Sequence, residues 1–224
     1  MVALWKSSAS NKMPDLHENE QFSKKRKRTV PKSDEKSDRR MRKNSTRDPN
    51  IASSHSTESQ VLFLEKQIQE SQRHYNNIVT LHSLATSQVE EEKQRLAAVA
   101  ALCRVFCRLL ADARLSKLNG ASQNDLVVVD WLKARYVDLQ NFLLECVGST
   151  NKFNLTALTL CMELIKAEIS NPRTSPDQLW RTGLFSKMLD TILETSNIEV
   201  LHKFVDSYAQ QFDDVRHYTF VILA

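Results

Sequence analysis

Residues Leu96–Leu110 read LAAVAALCRVFCRLL. Leu96, Val99, Cys103, Phe106 and Leu110 follow one another at steps of three and four, the repeat of one face of an α-helix. Leu102 and Leu109 widen that face, and the alanines at 97, 98, 100 and 101 let a neighbour approach closely. Only Arg104 and Arg108 interrupt the run, four residues apart on one side. The pattern predicts a helix buried over most of its girth, with one narrow wet stripe. Such a helix needs partners on several sides, and the rest of the chain is read as supplying them.

Downstream, Asn119-Gly120 is a stop signal and Ser122-Gln123-Asn124-Asp125 a new cap. Val129, Leu132, Tyr136, Leu139 and Leu143 repeat the helical step up to Gly148. The run Leu126–Val129 is β-prone alone, but it sits inside a long helical period. Leu155, Leu158, Met162, Ile165 and Ile169 mark another helix, from about Asn151 to Ser170. Asn171-Pro172 and Ser175-Pro176 predict a loop, because a residue before proline avoids the helical region. Pro176 suits the first turn of the next helix. That helix carries Leu179, Leu184, Phe185, Met188, Leu189, Ile192 and Leu193. Asn197 starts another, with Val200, Leu201, Phe204, Val205 and Tyr208. Asp213-Asp214 reads as a loop or cap before the terminal VRHYTFVILA.

Upstream, one helix is expected from Ser56 towards Ala85, with Val61, Leu64, Ile68, Tyr75 and Ile78 as a thin stripe. Ser87 and the acidic Glu90-Glu91-Glu92 are expected to open the central helix, which should run to about Leu118. Helix pairs then recur at roughly 40–45 residues, a spacing of HEAT and armadillo arrays. The fold class expected is all-α: irregular HEAT/armadillo-like repeats over 58–224, preceded by a disordered basic tail, 1–57. The apolar last ten residues lack a polar outer face, so a C-terminal truncation is expected.

Charge divides the chain in the same place. Of 31 Lys+Arg and 27 Asp+Glu, 14 and 7 precede Glu58, leaving 17 and 20 for the body. A tail of net +7 therefore precedes a body of net −3. The tail has too few apolar residues to offset the entropy of ordering. Lys24, Lys25, Arg26, Lys27 and Arg28 form one basic cluster; Arg39, Arg40, Arg42 and Lys43 form a second. Two such clusters are read as a bipartite nuclear localisation signal, with an import receptor as partner. Contact with nucleic-acid phosphates is the other reading of this tail. Aromatics are not interleaved with the clusters, so base stacking is not expected.

Nothing in the sequence predicts catalysis, a metal site or a cofactor. The glycines are Gly120, Gly148 and Gly183, too far apart for a phosphate-binding loop. Cys103, Cys107, Cys146 and Cys161 all lie in apolar helical patterns without CxxC spacing, and read as buried free thiols. His74 and His82 have no acidic partner at ligand spacing. No apolar run is long enough for a membrane-spanning helix, and the first ten residues lack a signal-peptide core.

Four segments together carry a family resemblance: CRVFCRLL; WLKARYVDLQNFL, Trp131–Leu143; FNLTALTLCMELIK, Phe153–Lys166; and FDDVRHYTF, Phe212–Phe220. Trp131, Arg135 and Tyr136 match a W-x-x-x-R-Y pattern, and Arg216 and Tyr218 sit in a D-D-x-R-type segment. Over about residues 60–224 the chain resembles the N-terminal portion of the nucleolar complex protein Noc-four family, fungal type. The resemblance implies a non-enzymatic nucleolar scaffold in maturation of the small ribosomal subunit and its 18S RNA. It also implies a Nop-fourteen-like protein partner within the small-subunit processome, and indirect or tail-mediated contact with precursor ribosomal RNA. A different class of function is also weighed: a nuclear adaptor that binds nucleic acid mainly through its tail.

Overall fold

The computed structural model describes residues 49–116, 122–150, 152–171, 175–195 and 197–224, with the backbone alone at 49–57. All regular structure among the described residues is helical: α1 (Pro49–Glu70), α2 (Asn77–Thr86), α3 (Glu92–Ala111), α4 (Gln123–Gly148), α5 (Asn154–Ile169), α6 (Pro176–Thr182), α7 (Leu184–Thr195), α8 (Ile198–Phe204) and α9 (Asp213–Leu223). Residues 1–48 with the basic clusters, the Asn119-Gly120 stop and Pro172 lie outside the described residues, whereas 49–57, the end of the expected tail, are helical.

The segment that opens the sequence reading is α3. Val99, Leu102, Cys103, Phe106, Leu109 and Leu110 are buried, and Arg104 and Arg108 are exposed. The helix packs against α1, α2 and α5. Leu96 is only half-buried. A second helix shares the centre: α5 touches α3, α4, α6, α7 and α8. Its Leu158, Cys161, Leu164 and Ile165 are all at most 1 % exposed.

Three expected helices are shaped differently. The 56–85 helix is two helices, and the first begins at Pro49, so Ser56 lies within α1 and is not its cap. Ser71 breaks the path: its backbone is extended and its hydroxyl accepts from the Arg73 N–H at 3.3 Å. A serine that satisfies a nearby donor competes with the helical ladder. The break leaves the whole stripe, Val61 to Ile78, buried and lets α1 and α2 both pack on α3.

The central helix starts at Glu92, because the Ser87 hydroxyl binds the Val89 N–H at 3.2 Å and closes a turn of its own. It stops at Ala111 instead of Leu118. Ala113 takes φ 54°, with Ala113 N–H on the Leu110 carbonyl at 3.0 Å and Arg114 N–H on the Leu109 carbonyl at 2.8 Å. These two bonds are a Schellman cap, in which the left-handed position favours glycine. Ala113→Gly is therefore expected to stabilise the protein by about 0.5–1 kcal/mol, the relief of alanine strain less the entropy of glycine. Chemical denaturation checks it by a rise in the midpoint; a fall contradicts the assignment.

The helix expected after Pro176 is likewise two, α6 and α7, divided at Gly183. Asn197 caps α8 as expected, its side chain accepting from the Glu199 and Val200 N–H groups. The helix then widens into a π-turn over Val205–Ala209. Ser122 and Asp125 form a reciprocal capping box at the start of α4. At its other end Gly148 makes room for α7, since a Cβ there would lie 3.1 Å from the Thr195 methyl. Asp213 and Asp214 open α9, where negative charge suits the helix dipole.

Candidate functional site: a partner-docking surface

The residues of the W-x-x-x-R-Y and D-D-x-R-type segments fall in two clusters on different helices. On α4, Trp131 is half-buried and the Arg135 guanidinium stands over its ring at 5.9 Å. Arg135 Nη2 also pairs with Asp138 at 3.0 Å. Tyr136 points the other way, into the core, 5.2 Å from the Phe106 ring centroid. Its hydroxyl donates to Glu168 Oε1 at 2.8 Å, and the Gln140 amide donates to the same oxygen at 3.0 Å. On α9, Arg216 is exposed and pairs with Asp213. Tyr218 stacks on Trp180 of α6 with centroids 5.0 Å apart, and its hydroxyl donates to Asp177 at 3.2 Å. Tyr136 and Tyr218 therefore tie helices together, whereas Trp131 and Arg216 face outward.

Glu168, Asp177 and Trp180 were not singled out by sequence reasoning. The one available signal was the interruption of an apolar face by Glu168, between Ile165 and Ile169. Burial raises the Glu168 carboxyl above its ordinary value of 4.5, and the hydrogen bonds from Tyr136 and Gln140 oppose that rise. The folded protein thus keeps this proton in a pH range where the unfolded chain has released it. Stability due to this group is full below 4.5 and is lost as pH rises through the folded value. Glu168→Gln retains an acceptor for both donors and removes the titration. Thermal unfolding should give a midpoint at neutral pH no lower than that of the parent, with a shallower fall between acid and neutral pH. A lower midpoint with an unchanged slope would contradict this.

Two of the four cysteines, all expected as buried free thiols, are fully buried. Cys103 and Cys161 are buried, Cys107 and Cys146 half-buried, and all four are free. Burial raises every one of the four thiols, Cys107 to about 11. A raised thiol carries little thiolate at neutral pH and is a poor nucleophile or metal ligand. Among the described residues, no group of three or more His, Cys, Asp or Glu is placed to hold a metal ion. No helix among them is long and apolar enough to cross a membrane.

What the surface does offer is apolar side chains in water. A groove of about 250 Å³ runs between the Ser71–Asn76 turn and the start of α4, lined by Tyr75, Val127, Val128 and Trp131 together with polar Gln72, Arg73 and Asn76. Val127 is 60 % exposed. On other elements Phe63 is 60 % and Phe220 67 % exposed. Exposed apolar groups of this size suit protein contact better than phosphate contact.

Helices packed in succession, with neighbouring pairs sharing a continuous core, define a helical-repeat protein. The profile of one such family, described as nucleolar complex protein 4-like, TPR repeats, matches residues 51–224. The chain belongs to this family. An uncharacterized protein of Schizosaccharomyces pombe is 28 % identical over 163 residues, which cover 69 % of this chain and 32 % of that relative. The chain thus spans about a third of the length of the curated relative it matches. No solved structure matches.

Proposed function

We propose that this protein is a non-enzymatic nucleolar scaffold in maturation of the small ribosomal subunit, with partner proteins docking on its helix surfaces. The observation that carries the reading is the apolar groove of Val127, Val128 and Trp131, in a chain of the nucleolar complex protein 4-like family. The body's net charge of −3 supports protein partners over RNA, since it gives no general phosphate footprint. A Nop-fourteen-like processome protein is the partner proposed. The two basic clusters at 24–28 and 39–43 are proposed to engage an import receptor and deliver the chain to the nucleus. In the tail-adaptor alternative, the same clusters would hold RNA.

Affinity purification from nuclear extract, with and without nuclease, tests the reading. The expected result is nuclease-resistant recovery of small-subunit precursor proteins. Recovery of RNA alone, lost on nuclease treatment, would favour the tail adaptor. Val127→Glu is expected to reduce partner recovery about tenfold or more, because a charge would enter the apolar groove. Its melting temperature should change little, as exposed substitutions cost within about 0.5 kcal/mol. Undiminished recovery with this variant removes the groove from the proposal.

A further inference from the structure

Among the described residues, two buried side-chain polar atoms have no hydrogen-bond partner: His82 Nε2 on α2 and Arg135 Nε on α4. Both residues line one recess of about 20 Å³. The rest of its wall is Ile78, Val79, Leu102, Phe106 and Leu139. Both polar residues therefore contribute to the wall of a small space whose other side chains are all hydrocarbon.

Leaving a buried donor or acceptor unmet costs on the order of 1–3 kcal/mol, and more for a charged group. Two such groups at one recess point to a shared ligand. The volume sets its size: a water needs about 10–15 Å³ on this measure. At about 20 Å³ the recess is of the size for a single water. A metal ion is excluded by the guanidinium, and an anion larger than water by the volume.

We propose that one structural water molecule resides here and bridges α2 to α4. Arg135 Nε–H can only donate, so the water oxygen accepts from it. The water then satisfies one of its own hydrogens by donating to His82 Nε2. That arrangement assigns His82 the tautomer with its proton on Nδ1. The opposite tautomer would have the water accept twice, with both of its hydrogens against hydrocarbon. The bridge fixes the Arg135 guanidinium, which stands over Trp131 and pairs with Asp138. His82 is thus a positioning residue for the Trp131–Arg135 pair. The inference holds whether or not the nearby groove docks a partner.

The test uses the full chain. A crystal structure at high resolution should show one ordered water within 3.2 Å of both His82 Nε2 and Arg135 Nε. In solution, nitrogen-detected spectra should show His82 Nε2 unprotonated, and the Arg135 Nε–H should exchange slowly and show a water cross-peak. His82→Phe should remove that cross-peak and speed Arg135 Nε–H exchange at least tenfold. A direct His82–Arg135 hydrogen bond, an empty recess, or a protonated Nε2 in the neutral ring would each overturn the proposal. These readouts on the parent protein decide the matter even if the variant does not fold.

Discussion

Phe106→Ala is expected to lower stability by about 3–5 kcal/mol, the cost of a large aromatic-to-alanine deletion in a packed interior. Phe106 is fully buried on α3, and its ring lies against Tyr136 of α4. Its loss would open a void between these helices and enlarge the recess beside His82 and Arg135. Part of the cost would be recovered if Leu102 and Leu139 moved in, so the lower bound applies to a pliant core. For a body of this size each kcal/mol moves the melting temperature about 2–4 °C. A fall of about 6–20 °C in a thermal melt is the expected outcome. An unchanged melting temperature would show that α3 is not a centre of the fold.

Gly183→Ala is expected to have the second largest effect, about 3 kcal/mol, at the upper end of the range for overpacking. A Cβ at Gly183 would sit 2.3 Å from the Leu179 carbonyl oxygen and 3.1 Å from its carbon. Those are backbone atoms, so no rotamer change relieves the clash. The same carbonyl accepts the Gly183 N–H at 2.9 Å. Either that bond opens or α6 moves, and α6 carries Trp180, which packs edge-on to Phe185 of α7 at 4.7 Å. Gly148→Ala makes the control: its Cβ would meet only the methyls of Thr195 and Thr191, at 3.1 and 3.2 Å. Side chains can yield where a carbonyl cannot. Urea unfolding of both variants separates the two cases, and an equal loss in each would refute the clash as the cause.

The long apolar periods were legible in the sequence because each helix buries a stripe. Leu132, Tyr136, Leu139 and Leu143 are buried as spaced. The breaks were less legible. Ser71 ends a helix within an apolar period, Ile68 to Tyr75, that continues in register across the break. At Ala113 the sequence gives no warning, because alanine is a strong helix former placed where glycine is favoured. The centrality of α5 was also hidden, since periodicity shows which face is apolar and not how many helices meet it.

The motif residues show a similar limit. Trp131, Arg135 and Tyr136 lie within one six-residue stretch, yet Tyr136 enters the core and Trp131 faces the groove, as a 100° step per residue requires. The pairing of Tyr136 with Glu168, 32 residues away, depends on how α4 lies on α5. So does the placing of His82 and Arg135 on one recess, since the two share no sequence pattern. Such contacts arise from tertiary placement and leave only faint traces in local spacing.

The packing of α1 and α2 onto α3 has a consequence for how the chain emerges during synthesis. These three helices meet near-neighbours in sequence, and Arg104 on α3 grips the buried Glu65 of α1 through two bonds, at 2.8 and 2.6 Å. Their contacts need only short loops to close, which favours rapid folding. By the time Ala111 has left the ribosome, a three-helix unit with its own ion-pair latch can assemble. The face of α3 that awaits α5 stays open a little longer, until residue 169 is made. Each new helix thus finds a surface already built, and the polypeptide can fold in the order in which it is translated.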